Sequence, residues 1–146
     1  MSPCAIRKMT LADYESVVAF WQQQDGIGLN DADSRVGIAA YLKRNPGMSL
    51  VAHAGGELVG TVLCGHDGRR GYLHHVAVAK SQRGKGLGKT LVARCLETLR
   101  EAGIHKCNIF VWASNDNGQQ FWRAVGYEPR ADLMMMQRST AELVAM

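Results

Sequence analysis

Three glycines at alternate positions, Gly84, Gly86 and Gly88, fall where a strand pattern gives way to a helix pattern. No other stretch of the chain constrains its fold as tightly. Before them, Tyr72 to Val78 reads YLHHVAV, a strand rich in valine and aromatic side chains. After them, Leu87, Leu91, Val92, Cys95, Leu96 and Leu99 hold one face of a period of about 3.6 residues, which predicts a long helix. The polar loop from Lys80 to Lys85 therefore carries the chain from a strand end into a helix start.

The first N–H groups of a helix have no internal partner, and the helix dipole makes that end positive. Glycine removes the side chains that would hold an anion away from those groups. Arg83, Lys85 and Lys89 add charge suited to phosphate. The stretch reads as a pyrophosphate cradle. A glycine-eased turn with a solvated basic face is the plainer alternative, but glycines in the first turn of a helix are costly without a reason.

Two familiar phosphate patterns fail by one residue each. A Walker loop ending at Gly88, Lys89 and Thr90 would need glycine where Arg83 stands, and a dinucleotide fingerprint starting at Gly84 would need glycine where Lys89 stands. R-x-x-G-x-G does fit, as Arg83, Gly86 and Gly88 after a strand ending Val76-Ala77-Val78. That pattern resembles the coenzyme A signature of the GNAT superfamily of N-acetyltransferases. The resemblance implies acetyl-CoA as cosubstrate, with no metal. It places the cofactor against Val76, Ala77, Val78, Arg83, Gly84, Lys85, Gly86, Leu87, Gly88, Lys89 and Thr90.

A second block, NDNGQQFWRAVGY from Asn115 to Tyr127, is similar to N-x-x-A-x-x-F-Y-x-x-x-G-[FY] of the same family. Asn115, Phe121, Gly126 and Tyr127 match, and the resemblance implies that Asn115 and Phe121 lie on the cofactor's path. Gly118 replaces the usual alanine, and Trp122 replaces a tyrosine that in many members protonates the leaving thiolate. An indole N–H donates a hydrogen bond but delivers no proton near neutral pH. Trp122 is therefore expected to pack on the acyl-CoA or touch the thioester rather than act as an acid.

The resemblance also makes the Val76 amide the expected oxyanion donor, on a central strand splayed from its neighbour. His74 and His75 just before it are the base candidates, since histidine titrates near physiological pH. Successive strand residues face opposite sides, so only one can point at an acceptor unless a bulge intervenes. The alternative for either is a surface histidine, or one that is buried and hydrogen-bonded. The resemblance places the acceptor wall at the first two helices and their connection, including Trp21, Asp25, Asn30, Asp31 and Asp33, where aspartates would bind an ammonium group. A solvated capping loop, with Asp33 or Ser34 as the helix cap, is the competing reading there.

The rest of the chain supports one domain over residues 1–146. Strands are expected at Cys4–Met9, Met48–Ala54, Glu57–Gly65, Lys106–Trp112, Tyr127–Pro129 and Leu133–Arg138. Helices are expected at Leu11–Gln23, Ser34–Arg44 and Gln119–Val125, with a loose tail from Ser139. With the central strand and long helix, the order is β-α-α-β-β-β-α-β-α-β-β. That is an α/β chain with a mixed sheet flanked by helices, the order of the GNAT fold.

Lysine and arginine number 17 against 13 aspartates and glutamates, a net charge of +4. Much of the excess sits at the proposed phosphate loop and at Arg69-Arg70. A phosphate-rich cofactor explains it without nucleic acid, and no basic-aromatic interleaving argues for RNA. Cys4, Cys64, Cys95 and Cys107 form no C-x-x-C pair and are expected to be free thiols, without a matching histidine for a Cys-linked intermediate. Ser2 to Lys8 carries charge and no long apolar run. The expectation is a cytoplasmic N-acetyltransferase acting by direct attack of a primary amine (small molecule, amino acid or peptide N-terminus). A non-catalytic acyl-CoA sensor is the alternative, and monomer and homodimer both stay open.

Overall fold

The computed structural model describes residues 4–141. Residues 142–146 of the expected tail lie outside that range. Nine elements follow in order: β1 (Ala5–Lys8), α1 (Tyr14–Gln22), α2 (Arg35–Arg44), β2 (Leu50–Ala54), β3 (Glu57–His66), β4 (Gly71–Val78), α3 (Leu87–Glu101), β5 (Cys107–Asn108) and α4 (Asp116–Ala124). The sheet order is β1-β2-β3-β4-β5. The first four strands pair antiparallel, and β5 joins β4 in parallel.

Capping sets where the helices begin. Asp13 accepts the Thr10 N–H at 2.9 Å ahead of α1, and Ser34 Oγ accepts the Gly37 N–H at 3.0 Å to open α2. Asn115 Oδ1 accepts the Gly118 N–H at 2.9 Å, which starts α4 at Asp116, earlier than its apolar residues suggest.

Alternation along the strands sorts the core into two layers. Val51, Leu63 and Ala77 face α1 and α2, where they meet Val17, Phe20, Trp21 and Ile38. Ala52, Val62, Cys64 and Leu73 face the opposite way, onto Leu87, Leu91, Val92, Cys95 and Leu99 of α3. Phe121 and Trp122 of α4 pack against this second layer. Cys64 and Cys95 are buried in it, Cys4 and Cys107 are half-buried, and all four are free thiols.

Two expectations of the strand pattern fail, and for one reason. Of Lys106–Trp112 only Cys107 and Asn108 pair, opposite Gly71 and Tyr72. Beyond them the chain leaves β4, so β5 offers no ladder for later strands to extend. Tyr127–Pro129 and Leu133–Arg138 accordingly form no strands, and Met134 and Met136 stand 84% and 87% exposed. A run of Leu and three Met carries no period-two alternation to hold one face inward.

Candidate active site

The parting of β4 and β5 makes the site. Among the described residues, β4 has no strand beside it on that side after Tyr72. On its other side, the Ala79 N–H bonds Val59 O of β3 at 2.8 Å. Strand alternation then turns the Val78 and Val76 N–H groups away from β3, into the opening. Ala77, between them, directs its own amide at β3 and its side chain into the α1–α2 layer, so it offers a ligand nothing.

From Val78 the chain runs through a short 3-10 turn, Lys80–Gln82, to the glycines. Gly84 and Gly86 lie at φ +76° and +86°, left-handed conformations that L side chains rarely adopt. Gly86 is the N-cap of α3 and supplies no capping side chain, and the first N–H of the helix ladder is that of Thr90, bonded to Gly86 O at 3.0 Å. The amides of Leu87, Gly88 and Lys89 are therefore left for an external acceptor, at the positive end of a 15-residue helix. Lys85 and Lys89 are exposed beside it.

The remaining residues of this loop have other duties. Arg83 donates through Nε to Val78 O at 3.0 Å and through an Nη to Gln24 at 3.1 Å, clasping the strand end to the end of α1. The Thr90 hydroxyl donates back to Gly86 O, and Leu87 is buried in the core. Phe121 packs against Gly88, where a Cβ would lie 3.2 Å from its ring. Trp122 is wedged edge-on between Phe121 and Tyr127, with ring centroids 5.1 and 4.9 Å away.

A bulge in β4 settles the two histidines. Register slips between Thr61 and Leu63 of β3, and His75 sits at φ +50°, the one non-glycine with positive φ among the described residues. Both side chains therefore turn to the α1–α2 side. His75 Nε2–H donates to Asp33 Oδ1 at 2.8 Å, and its ring lies 4.7 Å from that of Trp21. Asp33 is only 8% exposed, and its other oxygen accepts the Asn30 N–H. The Trp21 indole N–H donates to Thr61 Oγ1, which donates to His75 O, at 2.8 and 2.9 Å. His75 is thus fastened by backbone and ring together.

His74 is placed differently. Its ring lies 6.2 Å from Tyr41 and 6.2 Å from Phe110, which follows β5, so it reaches across the mouth of the opening. Burial pushes its pKa below the usual histidine value; the neighbouring His75 adds to this and Asp33 opposes it. A neutral imidazole is what a base requires.

The expected acceptor wall needs correction. Trp21 is 0% exposed and belongs to the core, so it cannot touch a substrate. Asp33 is engaged with His75, while Asp25 and Asp31 lie exposed at the α1–α2 connection, away from that pair. Asn115 spends its carbonyl oxygen on the α4 cap, and its amide faces Gly26. Sequence reasoning also missed the anchoring roles of Asp33 and Thr61, 42 and 14 residues from His75. No local pattern joins residues so far apart.

Comparison with known proteins agrees with this geometry. Residues 14–127 match the acetyltransferase (GNAT) family. An acetyltransferase of Yersinia enterocolitica is 31% identical over 133 residues, 91% of this chain and 94% of its own length. Ard1 of Thermoplasma volcanium superposes with a TM-score of 0.76 at 22% identity, covering 88% of this chain and 84% of that one. The PaiA N-acetyltransferase of Thermoplasma acidophilum, solved in complex with coenzyme A, superposes at 0.72 and 19% identity, covering 86% and 90%.

Proposed function

Because the chain belongs to the acetyltransferase (GNAT) family, we propose that it moves the acetyl group of acetyl-CoA to a primary amine by direct attack in a ternary complex. The observation that carries this reading is the opening between β4 and β5, with the free α3 N-terminus at one end and His74 at the other. The amides of Leu87, Gly88 and Lys89 hold the pyrophosphate, helped by the charges of Lys85 and Lys89. The Val78 and Val76 amides hold the pantetheine arm and the thioester, and coenzyme A bound to PaiA supports acetyl-CoA as the cosubstrate.

In the reaction, the amine nitrogen attacks the thioester carbonyl carbon, and the Val76 N–H donates to the oxygen as negative charge develops there. His74 takes the proton that the nitrogen must lose, directly or through water. The C–S bond breaks, CoA leaves as thiolate, and solvent protonates it. Trp122 packs the α4 side of the opening and moves no proton. His75 serves as a positioning residue, since its bulge is what turns His74 and the Val76 amide to the same reaction centre.

The test is calorimetric titration with acetyl-CoA, followed by thiol release over a panel of amines and peptides. Binding with release for some acceptor supports the reading. Binding without release across a broad panel would turn it toward an acyl-CoA sensor, and absence of binding would end it.

A further inference from the structure

On the α2 side of the sheet a cavity of about 240 Å³ opens between the last turn of α2 and the β3–β4 turn, and His74 forms part of its wall. We infer that this cavity is the acceptor pocket, and that it takes an amine carrying an anionic group such as a carboxylate. The inference rests on the acetyl-transfer reading above and names the substrate class of that same site.

Donors dominate the lining. The Tyr41 hydroxyl is buried and has no hydrogen-bond partner among the described residues. It stands over Gly65, where a Cβ would come within 2.6 Å of the hydroxyl oxygen, so any side chain there would close the space. Burial holds the phenol well above its usual pKa, so it stays protonated and able to donate. His66 Nδ1 accepts the Gly68 N–H at 2.9 Å, which leaves the proton on Nε2 as a further donor. Arg44, in the last turn of α2, is the cation among the lining residues.

The one carboxylate in the lining is Asp67. Its Oδ1 already accepts the N–H groups of Arg69 and Arg70, both at 2.8 Å. Those two arginines follow it in the turn, so with Arg44 the segments that form the cavity's rim bring three arginines to this one aspartate. Such a field attracts a carboxylate and disfavours a bare diamine. It also favours the neutral, nucleophilic form of the amine it surrounds. Tyr41 and Arg44 hold the anionic group, and the amine end lies toward His74.

Thiol release with acetyl-CoA and four acceptors (L-glutamate, glycyl-L-glutamate, putrescine and spermidine) tests the assignment. The carboxylate-bearing amines are expected to exceed both polyamines in kcat/KM by about tenfold, the scale of one well-placed charge pair. Arg44→Glu should reverse that order and Arg44→Lys should keep it. Tyr41→Phe should raise KM for glycyl-L-glutamate several-fold while the KM for acetyl-CoA and the melting temperature stay as in the parent. Preference for putrescine or spermidine, or an Arg44→Glu variant with an unaltered order, would overturn the pocket while leaving acetyl transfer standing. Release for none of these four while other amines of a broad panel are acetylated would also overturn the pocket alone, and release for no amine of that panel, although acetyl-CoA binds, would overturn both.

Discussion

The two sides of the proposed reaction centre are built in opposite ways. The cofactor side is one continuous run from Val76 to Lys89, and its working groups are mostly backbone amides set by strand alternation, left-handed glycines and an uncapped helix. The acceptor side is assembled from four separate places: the α1–α2 connection, α2, β3 and β4. Its working groups are side chains, and those that are anchored have partners far away in sequence. Asp33 and His75 are 42 residues apart, Trp21 and Thr61 are 40. A ligand common to many proteins can be bound by backbone, which any sequence supplies. A ligand peculiar to one protein has to be met by side chains, and those can change without disturbing the cradle.

The sharpest way to break this contrast is at the histidines. His74→Ala should lower kcat by about a hundredfold or more, the usual scale of a general base. His75→Ala should instead lose stability through its bonds to Asp33, seen as a lower denaturation midpoint. Equal losses of turnover with unchanged stability in both variants would erase the distinction.

Next in size is the cradle. Gly86→Val forces a β-branched residue into φ +86°, a strain of about 1–3 kcal/mol, and sets a side chain where the pyrophosphate approaches. Acetyl-CoA affinity measured by calorimetry should fall by tenfold or more. Unchanged affinity would show that the cofactor does not use this loop.

A smaller effect concerns the fastening of the bulge. Thr61→Val removes the acceptor of the Trp21 indole and the donor to His75 O, both in the buried layer. The expected cost is about 1–3 kcal/mol in chemical denaturation, with a change in tryptophan fluorescence, while acetyl-CoA binding is retained. Loss of cofactor binding as well would mean that the two sides are not separable.

The smallest effect is in pH dependence. As the proposed base His74 has to be neutral, so activity should rise with pH through its pKa and then level off. Burial holds that pKa below the ordinary histidine value of about 6.5, which puts the acid limb there. Asp33 raises the His74 pKa, so Asp33→Asn should move the limb to still lower pH. A limb that moves upward, or none at all, would remove His74 as the titrating base.

How much was legible follows the same division. The glycines and the amphipathic face of α3 announced the strand–turn–helix with its uncapped N-terminus because both are local patterns, and the mixed sheet followed from the order of elements. The twin histidines were legible as candidates, but the bulge that turns both to one side depends on a register slip against β3. Trp21 fell on a helix near the acceptor region, yet its ring is core, because Thr61 waits beneath it to satisfy the indole N–H. The last two strands were read from composition alone, and the departure of the chain after Asn108 left them no edge to join.

The sequence by itself determined what depends on neighbours within a few residues: helix faces, caps, turn glycines and the strand–loop–helix that leaves its first amides free. Only the tertiary structure decided what depends on distant residues meeting. That includes which histidine is anchored by a carboxylate and which is not, and where a cavity opens beside β4. Backbone hydrogen bonding is encoded locally by φ and ψ, whereas side-chain partnership depends on the register and packing of whole elements.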